Sequence, residues 1–184
     1  MKIVQALLHA IANEVEKAVK NTVNSKNLGE DLGIGADGTP TKLIDDMAEQ
    51  ICFKVLKEKK GKLNILSEEA GFIDNNAERT LVMDPIDGTH NAIKGIPVYA
   101  VSLAVGKNKL SDVEYGLVRN LVTGDTFWAE KGKGAYLNDR SIKVRDFNQE
   151  ESMFALYVGG RATQRSYTIA KLPRRGRALG CASL

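Results

Sequence analysis

The 184-residue chain has few cysteines and no long apolar run, and both absences exclude classes of protein. Its two cysteines, Cys52 and Cys181, are too few for a disulfide framework, so a reducing, cytoplasmic setting is expected. No segment approaches the ~18–20 consecutive apolar residues that cross a bilayer. Asn13 and Glu14 interrupt the apolar residues near the start, which is not typical of a signal peptide. The sequence therefore predicts no membrane partner.

A strong charge of one sign is also lacking. Lysine and arginine total 26 and aspartate and glutamate total 23, which gives a net charge of +3. That excess is too small to indicate nucleic-acid binding by itself. The basic residues between 171 and 177 are interpreted as a solvated segment, so no nucleic-acid partner is predicted. Hydrophobic residues make up 43% of the chain and charged residues 27%, the ordinary mix of a globular protein.

Hydrophobic periodicity predicts two amphipathic helices followed by a series of strands. Helical spacing of apolar residues marks 3–23 and 43–60, with Cys52 on the buried face of the second helix. Glycines and Pro40 within 24–42 predict a long irregular loop between them. Short apolar or alternating runs predict strands at 63–66, 80–83, 99–106, 114–120, 126–130, 135–144 and 153–158. The expected fold class is α+β, or a layered α/β sandwich, with two helices packed on a largely antiparallel sheet.

The richest stretch for chemistry is Thr-Leu-Val-Met-Asp-Pro-Ile-Asp-Gly-Thr-His-Asn at 80–91. An apolar strand would end at Asp84, and a turn would bring Asp87 back beside it before Thr89 opens a short helix. Paired carboxylates suit a hard cation such as Mg²⁺, and a helix start offers N–H donors to phosphate. The alternative is that Asp87 simply caps the helix.

Two further acidic pieces precede that stretch. Glu68 and Glu69 follow the predicted strand 63–66, and ligand sites in α/β sheets collect at such strand ends. Pairing of Glu68 with Asp84 on the neighbouring strand is expected, whereas Glu69 is interpreted as a solvated residue. The third piece, residues 35–45, ends the glycine-rich loop. There Thr41 is expected to cap the second helix, with Asp45 in its first turn.

These three pieces, in this order, resemble the inositol monophosphatase family. The family signature Asp-Pro-Ile-Asp-Gly-Thr matches residues 84–89 without a change, and its Glu-Glu matches 68–69. Asp-Gly-Thr-Pro-Thr-Lys at 37–42 looks like the archaeal branch, in which one enzyme can act on both inositol-1-phosphate and fructose-1,6-bisphosphate. Further matches lie at 95–99 and 132–136, so the resemblance covers essentially the whole chain.

The resemblance implies a Mg²⁺-dependent phosphomonoesterase that hydrolyses small polyol or sugar phosphates with a metal-activated water. By similarity, Glu68, Asp84 and the backbone carbonyl of Ile86 would hold one Mg²⁺. Asp84 and Asp87 would hold a second, and a third ion would arrive with the glycine-rich loop. Mn²⁺ would be able to replace Mg²⁺.

The resemblance also implies which residues contact the substrate and take part in the reaction. Substrate contacts would come from Asp87, Gly88, Thr89 and Arg177. Catalytic roles would fall to Asp37, Thr41, Glu68 and Thr89. The Thr89 hydroxyl, paired with Asp37 on the loop, would orient the attacking water, and Thr41 is the other candidate on that loop.

One departure from the family concerns its C-terminal lobe and the Trp-Asp motif found there. The single tryptophan, Trp128, is followed by Ala129, so the motif has no equivalent. The expectation is one N-terminal α/β lobe over 1–184, with a mobile glycine-rich loop at 24–42 and no C-terminal lobe. Alternatives are a catalytically incomplete fragment, a non-catalytic module that binds metal or phosphate, and a 3′(2′),5′-bisphosphate nucleotidase. Homodimers are common in the family, so self-association is a further expectation.

Overall fold

The computed structural model describes residues 2–22, 25, 27–148, 154–155, 176–177 and 180–184. The helices in this part of the chain are α1 (Lys2–Thr22), α2 (Leu43–Glu58) and α3 (Thr89–Lys94), with one 3₁₀ turn at Leu110–Asp112. The strands are β1 (Asp31–Ile34), β2 (Pro40–Lys42), β3 (Asn64–Ser67), β4 (Gly71–Ile73), β5 (Thr80–Asp87), β6 (Ala100–Gly106), β7 (Tyr115–Asn120), β8 (Thr126–Glu130), β9 (Gly134–Leu137), β10 (Arg140–Ile142), β11 (Phe154–Ala155) and β12 (Gly176–Arg177).

Eight of these strands form one sheet in the order β10-β9-β8-β7-β6-β5-β3-β4. Neighbouring strands are antiparallel except for β3 and β5, which run parallel. β1 and β2 form a separate antiparallel hairpin, and β11 pairs with β12 in parallel. The predicted fold class, two long helices on a largely antiparallel sheet, is therefore confirmed. The chain direction that matters for function is that of β3 and β5, because their carboxyl ends meet at the same edge.

The hydrophobic core lies between this sheet and a layer formed by α1 and α2. Leu8 and Ile11 of α1 and Ile44 of α2 are fully buried against strand residues such as Leu81. Cys52 is fully buried on the same face of α2, as predicted. Buried apolar residues recur about every 3.6 positions in the two helices and at alternate positions in the strands, because each element turns one face toward this core.

A buried polar group also ties α1 to the sheet. Arg119 on β7 is 8% exposed, and its Nε donates to Thr126 Oγ1 at 2.8 Å. Its Nη1 contacts Glu16 on α1 at 3.1 Å and donates to Asn13 as well. A buried guanidinium is stable only when its donors are satisfied in this way.

The prediction of irregular structure throughout 24–42 is wrong. β1 and β2 pair across a turn in which the Gly35 amide donates to the Thr39 carbonyl at 2.8 Å, with Gly38 at φ 87°. The hairpin is held by contacts outside itself, such as the Leu43 amide donating to the Glu30 carbonyl at 3.0 Å. Local glycine content could not predict strands that depend on such tertiary contacts.

Other boundaries differ in smaller ways. The short helix opened by Thr89 is confirmed, whereas β4 was not predicted. The predicted strand 135–144 is a hairpin of β9 and β10, which turns at 138–139. Of the predicted strand 153–158, only 154–155 lies within the described residues. The described helices include none that is both long enough and apolar enough to span a membrane.

Candidate active site

Two acidic residues meet at the carboxyl ends of the parallel strands. Glu68 follows β3 directly, and its backbone amide donates to the Met83 carbonyl on β5 at 3.3 Å. Asp84 is the next residue of β5, and its carboxyl group is hydrogen-bonded to that of Glu68. The predicted pairing of Glu68 with Asp84 is thus present. An open depression of about 380 Å³ borders both side chains.

The electrostatics of this pair favour a bound cation. Burial, and then the negative charges of Glu68 and Asp87, raise the pKa of Asp84 to about 8. Burial and the neighbouring carboxylates, including Asp37, likewise raise the pKa of Glu68. None of the ion pairs among the described residues includes Glu68, Asp84 or Asp87. Burial and the neighbouring negative charges therefore favour the protonated form of this pair, and a bound cation would take the place of the proton.

The donor set fits Mg²⁺ without forming a complete protein cage. Within the described ranges, no three acidic, histidine or cysteine side chains surround a common point closely enough to hold a metal ion by themselves. Mg²⁺ requires oxygen ligands but usually retains several waters and binds through one or two carboxylates. Glu68, Asp84 and a backbone carbonyl such as that of Ile86 provide that chemistry.

The bulge in β5 between Asp84 and Asp87 arranges the turn that follows. Asp84 Oδ1 accepts a hydrogen bond from the Ile86 amide at 3.1 Å. The Asp87 carboxylate accepts hydrogen bonds from the backbone amides of Ala182, at 3.1 Å, and Ser183. Asp87 makes no capping hydrogen bond to α3, whose N-terminal boundary is Gly88. The simple capping interpretation of Asp87 is therefore wrong.

Gly88 is required by the geometry of this turn. Its φ is 93°, a left-handed conformation that side chains disfavour. A Cβ atom added there would lie 3.0 Å from the Val98 carbonyl oxygen and 3.2 Å from Cys181 Cβ. A residue without a side chain lets the segment between Asp87 and Thr89 pack this closely.

The partner of Thr89 differs from the prediction. Thr89 Oγ1 lies 2.8 Å from Asp45 Oδ1 on α2 and 3.0 Å from the Ile86 carbonyl oxygen. Asp37, the expected partner, instead accepts hydrogen bonds from the amide and hydroxyl of Thr39 in its own turn. Asp45 is 4% exposed, and burial raises its pKa to about 7. The hydroxyl–carboxylate pair of this site is therefore Thr89–Asp45.

Comparison with known proteins identifies the family of the chain. The model of the inositol monophosphatase family matches residues 2–183. The chain belongs to the inositol monophosphatase family. It is 38% identical over 187 residues to fructose-1,6-bisphosphatase/inositol-1-monophosphatase of Methanothermobacter thermautotrophicus, covering 95% of this chain and 67% of the relative. It is also 42% identical over 170 residues to bifunctional NADP phosphatase/NAD kinase of Methanococcus maripaludis, covering 80% of this chain and 30% of that protein.

A solved structure shows the same fold. The crystal structure of an inositol monophosphatase–fructose 1,6-bisphosphatase matches with a TM-score of 0.83 and 37% identity, covering 96% of this chain and 68% of the other. The chain thus spans about two thirds of the length of the first relative and of the solved structure. It spans about a third of the length of the bifunctional relative.

In this family member, the β1–β2 hairpin is attached to the acidic edge through Glu69. The Thr41 hydroxyl donates to the Glu69 carboxylate, and the Ala36 amide donates to the Glu69 carbonyl at 2.9 Å. Glu69 is consequently half-buried rather than solvated, and burial raises its pKa. Thr41 does not cap α2, because Lys42 occupies the helix boundary and its amide donates to Asp45 Oδ2 at 3.3 Å.

The structure therefore brings together most of the residues that the resemblance to the inositol monophosphatase family implied. Glu68, Asp84, Ile86, Asp87, Gly88 and Thr89 lie on consecutive parts of one sheet edge. Asp37 is exposed in the hairpin turn, close enough for its charge to raise the pKa of Glu68. The Arg177 side chain lies outside the described residues. Asp45 was predicted only as a residue of the helix start; its spacing from Thr41 was the one available signal.

Proposed function

We propose that this chain forms the catalytic edge of a Mg²⁺-dependent phosphomonoesterase acting on small polyol or sugar phosphates. The observation that carries the proposal is the Thr89–Asp45 pair beside the Glu68–Asp84 pair. One pair can handle the proton of a water, and the other can hold a cation. The names of the first relative support inositol-1-phosphate and fructose-1,6-bisphosphate as substrates.

The proposed ligands of a first Mg²⁺ are Glu68, Asp84 and the Ile86 carbonyl, and those of a second are Asp84 and Asp87. Mn²⁺ would suit the same oxygen donors. When bound, these ions would supply Lewis-acid stabilisation of the phosphate and lower the pKa of a coordinated water. The charge of Asp37 close to Glu68 supports a third ion at the hairpin turn.

The protein's own contribution to hydrolysis centres on Thr89. Because its hydroxyl donates to Asp45 Oδ1, the lone pairs of its oxygen can accept a hydrogen bond from the attacking water. As the water oxygen bonds to phosphorus, the water proton passes to Thr89 Oγ1, whose own proton moves to Asp45. The ester P–O bond breaks, the alcohol oxygen leaves with the electron pair of that bond and takes a proton from solvent water, and Asp45 returns its proton to solvent. A pKa of about 7 suits a base that works near neutral pH.

The remaining residues are proposed to position the substrate. The backbone amides of Gly88 and Thr89 would donate to phosphate oxygens, where fixed donors cost no reorganisation during the reaction. Asp87 and Arg177 would contact the polyol or sugar. Thr41 would keep the hairpin attached to the edge through Glu69.

The decisive experiment measures phosphate release by the 184-residue chain while Mg²⁺ is titrated. Substrates are inositol-1-phosphate, fructose-1,6-bisphosphate, a 3′(2′),5′-bisphosphate nucleotide and NADP, the last because a relative is named as an NADP phosphatase. Asp84→Asn is expected to lose turnover, and Asp139→Asn, in the exposed β9–β10 turn, is the matched control. Metal binding without turnover by the folded chain would favour a non-catalytic module.

A further inference from the structure

Helix α2 buries a second carboxylate one turn beyond Asp45. Glu49 is 5% exposed. Its Oε1 accepts a hydrogen bond from the Ala70 backbone amide at 3.1 Å and another from the Ser67 hydroxyl. These two donors flank Glu68 in the turn between β3 and β4. Glu49 therefore contacts the turn that carries the proposed metal ligand without belonging to the acidic edge itself.

The environment of Glu49 shows what this contact does. A buried carboxylate is costly unless it is paired or hydrogen-bonded. None of the ion pairs found in the described part of the chain includes Glu49. The donors that satisfy it come from the turn, because the Ser67 hydroxyl and the Ala70 amide both donate to its Oε1. Ser67 is itself 4% exposed, so this contact is shielded from water.

Asp45 and Glu49 are four residues apart and share one face of α2. Asp45 holds Thr89 at the start of α3, while Glu49 holds both ends of the turn around Glu68. One helix thereby sets the distance between the proposed proton-handling pair and the proposed metal ligand. We infer that Glu49 is a positioning residue that fixes the Glu68 carboxylate beside Asp84. This inference rests on the proposed function, because it presumes that Glu68 binds a metal ion.

The test is Mn²⁺ binding to the 184-residue chain, with free Mn²⁺ followed by electron paramagnetic resonance. Glu49→Ala is expected to weaken Mn²⁺ binding ~10–100-fold, the usual effect of losing a residue that orients a metal ligand. Glu49→Gln should stay within ~3-fold of the unsubstituted chain, because the amide oxygen still accepts both hydrogen bonds. Ser67→Ala removes only one donor, so its loss of affinity should be intermediate.

Val55→Ala on α2 is the control for a purely structural effect. Val55 is 4% exposed and makes no hydrogen bond with its side chain, so its truncation should lower the melting temperature but leave Mn²⁺ affinity unchanged. Unchanged affinity in Glu49→Ala, or a loss in Glu49→Gln as large as in Glu49→Ala, would overturn the positioning role. If Glu49→Ala does not fold, unchanged affinity in Ser67→Ala would overturn it. No Mn²⁺ binding by the unsubstituted chain would refute the metal site itself, and the positioning role with it.

Discussion

The raised pKa of Asp84 at the acidic edge predicts a strong pH dependence of metal binding. A cation that binds Asp84 must displace its proton, and the pKa of that carboxyl is about 8. At pH 7 such a group is ~90% protonated, so binding of the first Mg²⁺ should release ~1 proton. Below pH 8, the apparent affinity should fall ~10-fold for each unit of pH, and above pH 9 it should level off.

Isothermal titration calorimetry measures both quantities. Titrating Mg²⁺ into the chain in buffers of different ionisation enthalpy gives the number of protons released, and repeating it from pH 6 to pH 9 gives the slope. Asp139→Asn serves as the control, since Asp139 is exposed in the turn between β9 and β10. An apparent affinity that is constant between pH 6 and pH 8, or heat independent of the buffer, would refute the reasoning.

The same carboxyl group links metal-free stability to pH. The pKa of Asp84 is about 8 in the folded chain and ~3.9 in an unfolded one, so the folded state holds the proton more tightly. This contribution to stability is complete below about pH 4 and is lost as the pH rises through about 8. The metal-free melting temperature should therefore fall between pH 5 and pH 9, and saturating Mg²⁺ should reduce that fall. A metal-free melting temperature that rises over this range would contradict the assignment.

Three further predictions concern single substitutions. Thr89→Val should lower turnover ~10²–10⁴-fold, whereas Thr89→Ser, which keeps the hydroxyl, should retain most of it; equal losses in a kinetic assay would argue against a proton-handling role. Gly35→Ala would place a Cβ 2.6 Å from Glu69 Oε2, so hydrogen exchange should quicken over the β1–β2 hairpin. Gly33→Ala, which meets nothing within 4 Å, should not change it. Arg119→Ala should lower the free energy of unfolding by ~2–3 kcal/mol in urea titrations; a change below ~0.5 kcal/mol would show that its hydrogen bonds add little.

The sequence predicted the large elements well because each buries one continuous face. α1 and α2 have apolar residues at helical spacing, and β5 to β8 alternate or run apolar between clear turns. The β1–β2 hairpin was missed because its residues are mostly exposed and its support comes from Glu69 and the start of α2. No local pattern reports a contact between segments so far apart along the chain.

The candidate site was predictable to a similar degree. Residues 84–89 are contiguous, so the family signature located them directly, and the parallel pairing of β3 and β5 placed Glu68 beside them. The partner of Thr89 was assigned to Asp37, whereas the structure gives Asp45, 44 positions away. Choosing between two aspartates eight residues apart requires knowing how α2 packs against the sheet. Glu49 had no sequence signal, since a glutamate on a helix is ordinarily solvated.

The strand order also separates the residues proposed for chemistry from strands that stabilise the far end of the sheet. All the described residues proposed to bind metal or handle the proton lie between positions 37 and 89, on or beside β3, β5 and α2. β8 is three strands from β5, a distance of ~14 Å across the sheet. We therefore expect substitutions in β8, β9 and β10 to act on turnover mainly through folding, while those near β3 and β5 also act on the proposed chemistry. In a deep mutational scan, we expect abundance and turnover to diverge at the acidic edge and to coincide at the opposite end of the sheet.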